Sequence, residues 1–260
     1  MRRIVGVLSL IFLISCSSQE TFKKTPVDQF IIDMSDVKNF TVLLHDMDAE
    51  EHMFTANEYR HQYKIITMGA DSVPQSKVTE WYPVSESFFN LHSGDIGMEI
   101  ASKVDGKVSK QVSPPGYSGY VGNTRYGQWR TNPSTGTSFW EFYGRYAMFR
   151  SIFGMGYYGP IYRSSYYDYR RHYSSGRNYY GGSSGSPRYG SYSSGATKSN
   201  PSFSRRMSSN SSFKSTVNNS VSRSPARSAA GSKSTGYKST SSRYGSGSSS
   251  RSRSSSSGGK

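Results

Sequence analysis

The sequence predicts a mainly β, β-rich α+β fold. It comprises a small antiparallel domain over residues 26–130, one short aromatic helix over 138–154, and a long disordered C-terminal tail over 155–260. Three observations predict this layout. Hydrophobic residues are 33% of the 260, below the roughly 45–50% of globular chains, so only part of the chain can bury a core. Charge divides the molecule: residues 1–130 hold 13 Lys+Arg and 15 Asp+Glu, whereas residues 131–260 hold 19 Lys+Arg and only Glu141 and Asp168 as acids. Before residue 130 the apolar residues fall in short runs of strand length, separated by turn residues.

The chain opens MRRIVGVLSLIFLISC. Arg2 and Arg3 precede an uncharged, mostly apolar run from Ile4 to Ile14. That run is too short for a bilayer core, which needs roughly 20 apolar residues. It has the form of the apolar region of an export signal over residues 1–15. Cys16 is the only cysteine, so the chain cannot close a disulfide on itself. Leu13-Ile14-Ser15-Cys16 resembles a bacterial lipobox. The resemblance implies a diacylglycerol on the Cys16 thiol and cleavage of the signal just before it. It implies a lipid-anchored place in the bacterial cell envelope, facing the periplasm. Ser17 rather than Asp follows the cysteine, which favours the outer membrane over the inner. Two or three acyl chains anchor stably where one binds only marginally. A plain export signal with an incidental cysteine is the alternative.

Residues 16–25 form a polar spacer behind the anchor. Phe30–Met34 and Phe40–Leu44 are then apolar runs of strand length. In EYRHQYKIITM, residues 58–68, Tyr59, His61, Tyr63 and Ile65 share one face of a strand. Val78–Val84 is a further β-prone run, with Pro83 marking an edge or an end. Ser85 suits the cap of a helical turn through Leu91, and Gly94-Asp95 turns the chain back. Residues 96–112 read as a hairpin around Asp105-Gly106, in which Met98, Ile100 and Val104 alternate with Gly97, Glu99 and Lys103. A helix over 96–104 is the competing reading, because Ile96, Ile100 and Val104 are also four apart. Between Pro26 and Ser113 there are 7 Lys+Arg and 14 Asp+Glu, so the domain is acidic. Pro114-Pro115 ends regular structure. The segment after it is expected to lay Tyr117, Tyr120, Tyr126 and Trp129 over the domain, or else to offer them as a platform for a glycan.

Catalytic signatures are missing. There is no G-x-S-x-G and no G-x-x-x-x-G-K-[ST], and most serines lie in the tail, so the chain is expected to be no enzyme and to need no cofactor. HDMDAEEH, residues 45–52, gathers the weak metal candidates His45, Asp46, Asp48 and His52. Their residue types suit zinc and other transition metals, but their spacing is neither HExxH nor that of an EF-hand. A solvated connection between strands is the plainer reading.

SFWEFYGRYAMFRSIFG, residues 138–154, is expected to be helical. Ser138 and Glu141 fit a capping box, Glu141 and Arg145 stand four apart in the favourable order, and Gly154 suits a left-handed end. The helix is too short and too charged to span a membrane. It either docks on the preceding domain, lies in a membrane interface, or packs on a protein partner. For the last two, the contact residues are Trp140, Tyr143, Arg145, Phe149 and Arg150.

From Tyr169 to Lys260 there are 16 Lys+Arg and no acid. Tyrosine, arginine and glycine interleave first, and Ser/Gly/Arg/Lys follows. So few aliphatic residues do not offset the entropy of ordering a backbone. Tyr/Arg/Gly interleaving alone would suit RNA. The export signal argues against nucleic acid and points instead to peptidoglycan, lipopolysaccharide or anionic lipid, with each basic residue near such a surface contributing about 1 kcal/mol. Cys16, the run from Ser138-Phe139-Trp140 to Tyr158, and the tail after it resemble, in composition and order, the YgiB/YjfM type of envelope lipoprotein. That resemblance implies a part in envelope integrity and no particular functional residues. Taken together, the expectation is a non-enzymatic, lipid-anchored envelope protein with a structural or binding role, its basic tail on anionic polymers. The alternative is a periplasmic module that binds a small ligand or metal and uses the tail as a spacer.

Overall fold

The computed structural model describes residues 24–69, 73–182 and 186–223. Cys16, the export signal expected over residues 1–15 and the part of the expected tail over 224–260 lie outside the described residues. The fold is β-rich α+β, as expected, with a five-stranded antiparallel sheet and a separate two-stranded one. In chain order the elements are α1 (Pro26–Asp33), β1 (Phe40–Glu50), β2 (Glu58–Met68), β3 (Pro74–Pro83), α2 (Glu86–His92), β4 (Glu99–Val104), β5 (Lys107–Ser109), β6 (Gly127–Thr131) and β7 (Ser138–Phe142). Five helices follow: α3 (Phe149–Ile152), α4 (Arg163–Ser174), α5 (Ser194–Ser199), α6 (Pro201–Ser209) and α7 (Ser211–Arg223).

The large sheet runs β3-β2-β1-β4-β5. β1 is its centre and is buried over almost its whole length. β2 occupies the expected Glu58–Met68, but its inward face changes phase. His61 and Tyr63 point in, a register shift between Gln62 and Lys64 follows, and Ile66 is the next buried residue. α2 is capped as expected, with Phe88 N donating to Ser85 Oγ. The β4–β5 turn is also as expected: Asp105 and Gly106 both have positive φ, 48° and 81°, the signature of a type I′ hairpin.

Three expectations are corrected. Phe30–Met34 belongs mostly to a helix rather than a strand. Thr25 and Asp28 form a capping box, Pro26 fits the first turn, and Val27 and Phe30 turn inward, Phe30 meeting Tyr63 and Tyr82 at 5.3 Å. The helix over 138–154 is overturned in its first third. Ser138–Phe142 is β7, paired with β6 in the register Trp129↔Trp140, and Glu141 pairs with Arg130 across the hairpin rather than with Arg145. A 3-10 turn over Gly144–Tyr146 and the single turn of α3 follow. Gly154 is left-handed as expected, at φ 64°.

Disorder from residue 155 is overturned for the described residues 155–182 and 186–223. Tyr158, Tyr169, Tyr180, Tyr189, Phe203, Phe213 and Val217 are all buried, in one cluster with Val42, Leu44 and Ile100 of the sheet. Counting aliphatics missed this, because each buried tyrosine or phenylalanine removes some 150–250 Å² from water. Three of these tyrosine hydroxyls find close partners: Tyr189 with Tyr117 at 2.8 Å, Tyr180 with Asp95 at 2.7 Å and Tyr169 with Ser113 at 3.3 Å. The C-terminal helices close on β1. Asn200 Nδ2 donates to the His45 carbonyl at 2.6 Å, and Arg206 reaches Asp46 and the Met47 carbonyl.

Candidate anion-binding surface

The segment between β7 and α4 lays rings inward and arginines outward. Tyr146 and Phe149 are buried among Tyr120, Tyr126, Phe142 and Phe153, with Phe149 centred 4.5 Å from Tyr120. The same turns leave Tyr143 and Met148 at 40% and 42% exposure and put Arg145 and Arg150 on the surface. β7 is fixed from behind. Trp140 N donates to the Ile161 carbonyl at 2.8 Å, and a Cβ at Gly127 would stand 2.8 Å from the Trp140 ring.

Two arginines rest on neighbouring rings. Arg145 lies 4.6 Å from the Tyr146 centroid and Arg125 lies 5.6 Å from that of Tyr126. The two rings meet edge to face at 5.1 Å. Such cation–π contacts hold a guanidinium in place while leaving its donors free. Acids are scarce here. Glu141 is engaged by Arg130 and Asp168 by Arg171, and Arg125, Arg145 and Arg150 have no ion pair among the described residues. Asp105 lines the cleft beside Arg125, together with Lys103 and Asn123. The arrangement can bind anionic groups through arginine forks and flat apolar groups through Tyr143 and Met148.

Of the expected contact residues, Tyr143, Arg145 and Arg150 share this surface. Trp140 and Phe149 do not: at 1% and 0% exposure they are core and can touch neither membrane nor partner. Arg125 was missed. The signal for it is the repeated Arg-Tyr dipeptide, since Arg125-Tyr126, Arg145-Tyr146 and Arg188-Tyr189 each put the guanidinium over the following ring.

The expected metal candidates disperse. Asp46 and Asp48 are held by Arg206, and Asp48 also by Arg60. His45 lines a cleft near Lys64, and burial lowers its pKa. His52 instead stands beside Glu50 and Glu58, all exposed, the only group of three potential ligands among the described residues. Glu50 is already paired with Arg60. No family model matches the chain, and no curated protein or solved structure matches it either.

Proposed function

We propose that this is a non-enzymatic, lipid-anchored protein of the bacterial envelope that holds anionic envelope polymer. Cys16 would carry the acyl chains and set the location at the outer membrane. Arg125, Arg145 and Arg150, with the seven Lys+Arg and no acid of residues 224–260, would meet the polymer's carboxylates and phosphates. The observation behind this reading is that three exposed arginines, two of them seated on tyrosine rings, have no ion pair among the described residues. A cationic surface left uncompensated favours anions, and the attraction weakens with salt because the Debye length is about 10 Å at 0.1 M.

The test is sedimentation of the full chain with purified peptidoglycan sacculi. The triple change Arg125→Gln/Arg145→Gln/Arg150→Gln should lower affinity about a hundredfold, from about 1 kcal/mol per residue, without changing the melting temperature. Binding that is unaltered by the triple change, or insensitive to salt, would remove the surface from the reading. Cys16→Ala should move the protein out of the membrane fraction and abolish the added mass of acyl chains. A wild-type chain of unmodified mass would remove the anchor.

A further inference from the structure

The turn between β1 and β2 ends in an apolar finger. Met53 and Phe54 are 91% and 94% exposed, and no other large apolar side chain among the described residues passes 52%. The base of the finger is braced. Glu50 pairs with Arg60 across the hairpin, His52 N donates to Asn57 Oδ1 at 3.1 Å, and Ser212 and Thr216 of α7 donate to the Glu51 carboxylate. Water-facing turns favour Gly, Pro, Asn, Asp and Ser. Two large apolar side chains held bare at one tip instead offer area that a partner would remove from water.

Charge narrows the choice of partner. Residues 50–58 hold Glu50, Glu51 and Glu58 and neither Lys nor Arg. Glu51 and Glu58 have no ion pair among the described residues. An anionic lipid surface repels such a finger, whereas a basic surface with an apolar footing attracts it. The arginine surface has that composition: Arg125, Arg145 and Arg150 lack ion pairs among the described residues, and the same turns expose Tyr143 and Met148. It also begins at the other end of the central strand. Asn39, just before β1, lines the Arg125 cleft, and Glu50 ends β1 at the finger. The 11 residues of β1 span about 35 Å, so the finger is held away from its own molecule's arginines.

We propose that the finger docks on the arginine surface of a second copy of this chain. Met53 and Phe54 would meet Tyr143 and Met148, and the three glutamates would face Arg125, Arg145 and Arg150. Donor and acceptor are different surfaces at opposite ends of one strand, so the contact is heterologous. It extends into a row of copies instead of closing as a two-fold dimer. Two apolar side chains and a few charges make a contact smaller than the roughly 1,200–2,000 Å² of stable interfaces, so association is reversible and grows with concentration. The inference uses the arginine surface but rests neither on polymer binding nor on the lipid anchor.

The experiment is sedimentation velocity of the full chain, with detergent micelles in excess, from about 5 µM to about 500 µM. The mean mass of the wild type should rise with concentration and fall back as salt is added. Met53→Ser/Phe54→Ser and Arg125→Gln/Arg145→Gln/Arg150→Gln should each weaken association about a hundredfold, with unchanged melting temperatures. Mixing the two variants in equal amounts decides the geometry. Each keeps the surface that the other lacks, so the mixture should form pairs and stop there. Sacculus binding separates this contact from the polymer reading, because the finger variant should lose self-association and still bind sacculi. A wild type that stays monomeric would overturn the proposal and leave the finger to a lipid surface or another protein. Association kept in the arginine variant would move the acceptor to another basic segment, residues 224–260 first among them. A mixture that stays monomeric would overturn the head-to-tail contact.

Discussion

Glu99 is the residue whose surroundings depart furthest from its sequence pattern. Alternation along β4 puts it on the face away from Met98 and Ile100, beside Lys103, where a carboxylate would meet water. In the protein it is 1% exposed. Gly116 N donates to its Oε1, Ser118 stands beside the carboxyl group, and Tyr120 and Tyr169 lie near it. Burial pushes its pKa up to about 8. The folded chain therefore holds a proton that the unfolded chain releases near the ordinary 4.5. That stabilisation is complete at low pH and is lost as pH rises to about 8, by at most about 1.4 kcal/mol per unit. His61 works in the opposite sense. Its fully buried ring has a pKa well below 6.5, so its stabilisation is lost as pH falls through 6.5 and it is silent above about pH 7.5. Denaturant titrations at about pH 7.5 and pH 8.5 isolate the carboxyl. Stability should fall between them in the wild type and stay level in Glu99→Gln, and an equal fall in the variant would assign the proton to another group.

At the scale of elements, what was legible depended on whether the deciding contact was local. The α2 cap at Ser85, the Asp105-Gly106 turn and the left-handed Gly154 are settled within a few residues, and the sequence shows all three. β7 is not of that kind. Ser138 and Glu141 have the spacing of a capping box, and aromatic residues suit helix and strand alike once packed. The choice is made by Gly127, which leaves room for the Trp140 ring, and by the Ile161 carbonyl, which takes the Trp140 N–H. Neither is visible from residues 138–154. The acidic run at 46–48 has the same history. Its partner is Arg206, some 160 residues on, which also lies over the rings of Trp81 and Phe213 at 5.6 Å and 5.5 Å. Arg206→Ala leaves the buried Asp46 unpaired and should cost about 3 kcal/mol. Arg206→Lys should cost less, because it keeps the charge but loses the planar fork. Chemical denaturation of the two variants measures both, and a loss below about 0.5 kcal/mol for Arg206→Ala would reduce the pair to an exposed, screened one.

Across the whole molecule, the charge boundary near residue 130 is not a boundary of the core. Phe203, Phe213, Val217 and Val221 share one buried cluster with Val27 and Phe40. Composition read the second half as solvated because its polar residues are many. Yet the apolar side chains of 194–221 recur where a helix face needs them, and the covered sheet supplies the rest of the burial. A chain ending at residue 193 should therefore lose cooperative melting and expose apolar surface to a hydrophobic dye. A sharp transition retained within a few degrees of the full chain's would show that α5–α7 only decorate the fold.

That long-range closure sets a timetable for biosynthesis. β1 emerges early, but Asn200, Arg206 and Ser212, which bond to His45, Asp46 and Glu51, follow about 160 residues later. At about 5–20 residues per second, the central strand waits on the order of 10–30 s for its last partners. Through that interval the nascent chain shows an open, apolar sheet face, so a factor that shelters unfinished chains would have its longest opportunity there.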